Sequence, residues 1–360
     1  MLTPHAAAES ARRSISSITF PTDGKIVIAL SGGSDSTALL TFARDVFLAR
    51  GETDRLLAVT VDHGLRPESA AEARRAGDLC ASLGIGHVTR RWDGAKPSSG
   101  LQAAAREARY RLLAGEAAGG IVLTGHTMDD QLETVAMRQA RGSGRGLSGI
   151  APATLYEGRS WFVRPLIATR RTALREHLSA LGLSWIEDPS NRDPRFERVR
   201  VRQSIADGEA DDAAIRAAFE ERCAESAHAS RQLRDERRWH FDAATRTAEF
   251  HPSETSSGLA LAIAMSWVGH QANLAPQSII DKALAFCAQA GSGKRMTGSG
   301  CLLSKSGERV RIGRETRNRR ENSYGYDHLL PSPDFEAAQA LCERAEGRFY
   351  PLPPVSGYPY

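Results

Sequence analysis

Seven consecutive residues, Ser31-Gly32-Gly33-Ser34-Asp35-Ser36-Thr37, combine two glycines, four hydroxyls and one carboxylate. The apolar run Lys25–Leu30 precedes them, and a stretch with helical spacing, Ser36–Leu48, follows. The string therefore sits where a strand hands over to a helix. Adjacent glycines let successive backbone N–H groups turn inward, and a helix start adds the positive end of its dipole. With the hydroxyls of Ser31, Ser34, Ser36 and Thr37 this makes a cradle for phosphate or pyrophosphate. A carboxylate repels bare phosphate, so Asp35 is expected to hold a Mg²⁺ that phosphate oxygens share. The string is neither a Walker A loop nor the dinucleotide G-x-G-x-x-G. A plain Gly-Ser turn would explain the glycines, but not a carboxylate placed at this junction.

Other reactive types also fall at strand ends. His63 follows the run Leu56–Val61, and His126 follows Ile121–Thr124. Each could stabilise phosphate charge or shuttle a proton, the alternative being a satisfied packing histidine. Asp129 and Asp130 open a helix; Asp129 is the expected cap, which leaves Asp130 for the site, with Glu133 one turn on. Arg106 and Arg109 are three apart and share a helical face. One of them, Arg106 by preference, would neutralise a transferring phosphoryl group, unless the pair is only a solvated salt-bridge face. Gly142–Gly146 with Arg141 and Arg145 reads as a basic, glycine-rich loop. Arg195, Arg198, Arg200 and Arg202 would contact phosphates, which position a nucleic acid without specifying it.

These residues need a scaffold, and the first half supplies one. Apolar runs at Lys25–Leu30, Leu56–Val61, His87–Trp92 and Ile121–Thr124 alternate with helical stretches at Ser36–Leu48, Glu68–Leu83, Leu101–Ala118 and Asp129–Arg141. Phe162–Leu166 and Thr169–Leu181 extend the alternation. That order predicts an α/β fold with a doubly wound parallel sheet, which takes ligands at the carboxyl ends of its strands. After Arg202 the texture changes. Asp207–Asp212 reads as a linker and Ala213–Arg238 as a helix. A strand at Thr245–Phe250, helices at Gly258–Val268 and Gln277–Gln289, and a β-hairpin unit over Thr297–Arg314 follow. The expected division is 1–205 for the nucleotide domain, 206–330 for a smaller, mostly helical or α+β domain, and 331–360 for a Pro-rich tail of low intrinsic order.

Composition sets the outer limits. Of 360 residues, 41% are hydrophobic and 25% charged, which excludes wholesale disorder and a coiled-coil rod. No run approaches the ~20 apolar residues of a membrane span. Residues 1–20 lack the apolar core of a secretory signal, so a cytoplasmic protein with no membrane partner is expected. Cys80, Cys223, Cys287, Cys301 and Cys342 are scattered, without a C-x-x-C pair, as suits a reducing compartment. Forty-seven Lys+Arg against 43 Asp+Glu leave only +4. The cations are clustered: nine arginines against five acids over Arg164–Arg202, and nine Lys/Arg against two acids over Gly291–Arg320. Local basic patches on a near-neutral chain suit a polyanionic partner. Oligomeric state is not legible, and a homodimer is left open.

The Ser31–Ser36 string resembles the SGGxDS signature of the PP-loop family, the N-type ATP pyrophosphatases. Further strings narrow the resemblance: Val61-Asp62-His63-Gly64-Leu65-Arg66, Ala104–Tyr110, Thr124–Thr134, Arg141–Leu147, and Glu187-Asp188-Pro189-Ser190-Asn191 leading to Arg198, Arg200 and Arg202. In this order they are similar to the tRNA(Ile)-lysidine synthetases, strongly over residues 25–202 and more weakly over Gly298–Glu315. One departure is Thr127, where that family commonly has a second histidine. The resemblance implies a carbon–nitrogen ligase that uses ATP and Mg²⁺. ATP adenylates C2 of the wobble cytidine in an isoleucine tRNA with a CAU anticodon, and L-lysine then displaces AMP. Ser31, Gly32, Gly33, Ser34, Asp35 and Ser36 would hold the nucleotide, with Asp35 on the metal. Asp35, His63, Arg106, His126 and Asp130 would be catalytic. Asp130 and Glu133 would meet the lysine, and Arg141, Arg145, Arg198, Arg200 and Arg202 the tRNA. Two rivals share the motifs: a sulfur-transferring tRNA enzyme of the same family, and an RNA-binding module with a degenerate site.

Overall fold

The computed structural model describes residues 4–315 except 66, 95, 141–148, 151, 157–159, 188–196, 207–211, 253–256, 270, 272–273 and 290. Arg141, Arg145, Arg195, Asp188–Asn191 and the Pro-rich tail lie outside these residues. Contacts divide the chain into two compact units that meet in sequence at Asp212 and Ala213.

The first unit is built on a six-stranded sheet. In chain order its strands are β1 (Ile26–Ala29), β2 (Leu56–Asp62), β3 (Gly86–Arg91), β4 (Ile121–Leu123), β5 (Ala153–Tyr156) and β6 (Ser160–Val163). The spatial order is β3-β2-β1-β4-β6-β5. All neighbours run parallel except the β5–β6 hairpin at one edge. The helices are α1 (Pro4–Ser16), α2 (Ser34–Ala49), α3 (Ser69–Ser82), α4 (Leu101–Ala117), α5 (Met128–Ala140), α6 (Arg171–Ala180) and α7 (Glu197–Ala206). The expected doubly wound α/β fold is present.

Helices cover both faces, so the central strands are apolar throughout rather than alternating: Ile26, Val27, Ile28 and Ala29 are all buried. Val27, Ala29, Val59, Val122 and Phe162 share one face with Leu113 and Ala117 of α4. Alternation sends Ile26 and Ile28 to the opposite face, where α2 packs together with α1 and α6. From β1 the chain winds one way to β2 and β3, and β4 resumes on the other side of β1. The crevice between the carboxyl ends of β1 and β4 is thus the topological switch point, where sheets of this kind bind ligands.

Three elements of this unit lacked a sequence signal. In α1 the buried residues Ala8, Ala11 and Ile15 keep helical spacing, but alanines carry little apolar contrast. β5 is an edge strand of four residues. In α7 the segment Arg198-Val199-Arg200-Val201-Arg202 alternates with period two, which imitates a strand.

The second unit is α+β. Helices α8 (Asp212–Arg234), α9 (Gly258–Gly269) and α10 (Gln277–Ala288) accompany β7 (Trp239–Asp242), β8 (Thr247–Phe250), β9 (Arg295–Gly298), β10 (Cys301–Ser306) and β11 (Arg309–Arg314). The hairpin expected over Thr297–Arg314 is part of an antiparallel five-stranded sheet, ordered β7-β8-β11-β10-β9. Every residue of α9 after Gly258 is buried, as befits a helix that is apolar all round. Its core partners include Phe250, Leu303, Val310 and Ile312 from the sheet. Lys305, from the second basic stretch, turns inward: its Nζ donates to the carbonyls of Cys287 (2.6 Å) and Gln289 at the end of α10. Arg295, Arg309 and Arg311 are exposed on the other face. Among the described residues no helix is long and apolar enough to cross a membrane.

Candidate active site

The phosphate-type cradle forms directly after β1. Gly32 has φ +80, and a methyl group at its Cα would lie 2.5 Å from Ile186 Cδ1. The Gly32 carbonyl accepts from the Ile186 amide at 2.8 Å. Glycine is therefore required by backbone conformation, and any side chain there would also displace the tip of Ile186. The helix N-cap is Gly33, which has no side chain to spend on the first N–H groups of α2, so these keep no side-chain cap. Ser36 Oγ donates to the Gly33 carbonyl at 3.1 Å and lies 3.0 Å from Ser31 Oγ. Ser31, Gly32, Gly33, Ser34, Asp35 and Ser36 are thus brought together as the sequence led us to expect. The turn after β4 closes the other wall: a methyl at Gly125 would lie 2.9 Å from the Asp35 carbonyl oxygen.

Asp35 is engaged on both oxygens. Ser34 Oγ donates to Oδ1 at 2.9 Å and Arg171 Nε to Oδ2 at 2.8 Å. Burial raises the Asp35 carboxyl above its ordinary value, and Arg171 and Ser34 pull it back only partly.

At the start of α5 the cap expected of Asp129 falls to Thr127 and Asp130, while Asp130 Oδ1 still faces the site. Thr127 is the N-cap and Asp130 its partner three residues on: Asp130 Oδ2 accepts from the Thr127 amide and the Thr127 hydroxyl, both at 2.8 Å. The Asp130 amide points back to Thr127 Oγ1 at 3.4 Å. This is a capping box of the Thr-x-x-acid kind. The fully buried Thr127, which departs from the family pattern, is thus the residue that orients Asp130. Asp129 reaches elsewhere: its Oδ2 accepts from the Arg171 amide at 2.7 Å and ties the start of α6 to α5.

Beside them lies a cluster of three carboxylates and three guanidiniums. Arg171 lies 2.8 Å from Asp35, 3.4 Å from Asp130 Oδ1 and 3.4 Å from Glu133 Oε1. Arg198 donates to Glu133 Oε2 at 2.6 Å and to Asp130 Oδ1 at 3.0 Å. Arg202 Nε donates to Glu133 Oε1 at 2.8 Å. Arg198 and Arg202, expected to meet RNA phosphate, are thus paired with Asp130 and Glu133 in this structure. On α7 the two arginines are four apart and share the face packed on α5, whereas Arg200 lies on another face; Arg198 and Arg200 are both exposed. Arg171 was not singled out from the sequence, because an arginine opening a helix carries no motif. Burial works against its charge, but Asp35 and Asp130 outweigh that and keep the guanidinium protonated.

A pocket of ≈ 190 Å³ opens next to the cradle, lined among others by His63, Arg106, Arg109, Tyr110, His126 and Phe162. Tyr110 stacks on Phe162 with centroids 4.3 Å apart. The Tyr110 hydroxyl takes Arg106 Nη2 at 3.1 Å and Arg164 Nη2 at 3.2 Å. Among the described residues that line the pocket the charged ones are the cations Arg106 and Arg109, so they make its field positive. Burial, then Arg164, Arg109 and Arg106, push His126 well below the ordinary histidine value. Burial and Arg109 also lower His63, whose buried Nδ1 has no hydrogen-bond partner among the described residues. Both imidazoles are neutral near pH 7. They can donate or accept a hydrogen bond, including to a phosphate oxygen.

The family model of the PP-loop domain matches residues 6–209. The chain belongs to the PP-loop family. Its PP-loop region is similar to proteins named tRNA(Ile)-lysidine synthase. The one from Mesorhizobium japonicum is 56% identical over 189 residues, covering 50% of this chain and 42% of that protein. Those from Rhizobium meliloti and Brucella ovis are 49% identical over 220 residues and 47% over 187, covering 48% and 42% of their lengths. The matched part of the chain thus spans a little under half of these relatives. Among solved structures, a U34-tRNA thiolase, NcsA from Methanococcus maripaludis, shares 16% identity at a TM-score of 0.49 over 60% of this chain and 78% of that one.

Among the described residues no three His, Cys, Asp or Glu side chains converge as a ready-made metal cage. Mg²⁺ needs none, since it usually binds through one or two carboxylates together with substrate phosphates. Asp35, at the mouth of an uncapped helix start, fits a metal of that kind.

Proposed function

We propose that this PP-loop chain ligates lysine to C2 of the wobble cytidine of an isoleucine tRNA with a CAU anticodon. The observation that carries the reading is the juxtaposition of an uncapped α2 start bearing Asp35 with the acidic pair Asp130 and Glu133, in a chain whose relatives are named for that reaction. The Ser31–Ser36 cradle would hold the ATP polyphosphate, and Mg²⁺ on Asp35 would offset its charge. The cytosine C2 oxygen attacks the α-phosphorus and pyrophosphate leaves. The neutral, electropositive pocket of His63, Arg106, Arg109 and His126 suits that electron-rich oxygen and the phosphoryl group it meets. The lysine ε-amine then attacks C2 and loses a proton, and AMP departs with the former C2 oxygen. Asp130 and Glu133 would hold the ammonium that does not react.

In this reading residues 1–205 are catalytic, 206–330 grip the tRNA, and the enzyme works in the cytoplasm. Exposed Arg200, Arg295, Arg309 and Arg311 are the cations offered for tRNA phosphate, with Arg141 and Arg145 as further candidates. The thiolase reading is less favoured on one observation. The free cysteines among the described residues, Cys80, Cys287 and Cys301, are buried, and burial pushes their thiols up to about 12, 11 and 12, far from a reactive thiolate. The test is incubation with Mg·ATP, bulk tRNA and one labelled amino acid at a time. Lysine alone should enter the tRNA, through a bond that survives mild base. Sulfur incorporation, or base-labile aminoacylation, would contradict the reading.

A further inference from the structure

Arg171 stands between the two halves of the site. Its three guanidinium nitrogens each face a different carboxylate: Nε faces Asp35 at 2.8 Å, Nη2 faces Asp130 at 3.4 Å and Nη1 faces Glu133 at 3.4 Å. Its side chain is 16% exposed, and its backbone amide is fixed by Asp129 at 2.7 Å. Asp130 and Glu133 have further cations in Arg198 and Arg202, whereas Arg171 is the one guanidinium paired with Asp35 among the described residues. Three carboxylates and three guanidiniums leave the cluster neutral.

A cation at Asp35 and the Arg171 guanidinium compete for the same oxygen. Arg171 Nε occupies Oδ2, and Ser34 occupies Oδ1. A polyphosphate entering the cradle offers Arg171 a second anion beside the first. The planar guanidinium can move one N–H to a phosphate oxygen while its other nitrogens stay on the acids. We propose that Arg171 is a shared counter-cation that blocks divalent metal at Asp35 while the nucleotide is absent and passes from Asp35 to the ATP polyphosphate when it arrives. Arg171 then links the leaving pyrophosphate to the acids that receive the amine. This rests on the nucleotide reading of the cradle given above.

The test uses two bindings of the full-length chain, neither of which is catalysis. One is Mn²⁺ binding to nucleotide-free protein, read by electron paramagnetic resonance. The other is ATP binding in the presence of EDTA, read by calorimetry. Arg171→Met should tighten Mn²⁺ and weaken ATP, each by about tenfold, the size of one charge-assisted hydrogen bond. The Mn²⁺ gain should vanish in Arg171→Met combined with Asp35→Asn. A merely structural arginine would weaken both ligands together, and that result, or no change in either, overturns the inference. If Arg171→Met does not fold, Arg171→Lys carries the test. One ammonium cannot serve three carboxylates, so Mn²⁺ should still bind more tightly than to wild type and ATP more weakly; a lysine variant equal to wild type in both overturns it. A wild-type chain that binds no ATP overturns this inference and the proposed function together, whereas intact ATP binding without the opposed shifts overturns this inference alone.

Discussion

Replacing Thr127 by valine keeps the volume of a fully buried side chain and deletes one hydroxyl. That hydroxyl donates to Asp130 Oδ2 at 2.8 Å and accepts the Asp130 amide at 3.4 Å; only the Thr127 amide, also at 2.8 Å, would remain on Oδ2. Losing a threonine N-cap costs about 1 kcal/mol. A hydrogen bond to a charged group contributes ~1.5–3 kcal/mol. The two figures describe the same hydroxyl and do not add, so the expected loss is about 2 kcal/mol. For a unit of this size that lowers Tm by roughly 4–8 °C. Differential scanning calorimetry of Thr127→Val and Thr127→Ser against wild type measures it. Serine keeps the hydroxyl and should recover most of the loss. The valine variant should also show a raised lysine KM, because Asp130 loses half of its anchoring on Oδ2. Equal Tm values for valine and wild type would refute the capping box and, with it, the role given to Thr127.

Asp35→Asn should abolish pyrophosphate release in a chain that still folds by circular dichroism; wild-type turnover would remove Asp35 from the chemistry. Arg200→Ala should lower the log–log salt slope of tRNA binding by about 0.7–0.9, while Arg198→Ala and Arg202→Ala should leave the slope nearly unchanged and raise the lysine KM instead. A common slope change for all three would return Arg198 and Arg202 to the phosphate-contact class. His63, His87, His126 and His177 all have lowered folded-state values, chiefly through burial. The unfolded chain therefore binds more protons below the ordinary value of 6.5, and stability present above that pH should be lost as pH falls through it. Urea midpoints at neutral and mildly acidic pH should show that loss, and His126→Gln should lessen it; an unchanged pH dependence in the variant would mean His126 is not held neutral.

Strands β1, β2 and β4 were legible because each is a short β-branched run followed by glycine or histidine, and both faces of the sheet are covered. The cradle was legible for a related reason: Gly32, at φ +80, is demanded by backbone geometry, which sequence records directly. The charge cluster was not. Whether Arg198, Arg200 and Arg202 point together depends on whether their segment is a strand or a helix, and its period-two valines gave the wrong indication. Only the helix separates Arg198 and Arg202 from Arg200. That Asp130 rather than Asp129 joins the cap could have been read from Thr127, since a threonine three residues ahead of an acid is a cap signal. Arg171 had no such signal, because its role comes from three carboxylates brought to it by the chain fold.

The central claim is that ATP activates the C2 oxygen of the wobble cytidine and that lysine then displaces that oxygen as part of AMP. An isoleucine tRNA carrying heavy oxygen at C2 of that one cytidine tests it in a single mass spectrum after reaction with unlabelled Mg·ATP and lysine. The account predicts that the heavy oxygen leaves the tRNA and appears in AMP, one atom for each lysine incorporated, with none in pyrophosphate. Heavy oxygen retained in the tRNA, or AMP formed without it, would contradict the claim.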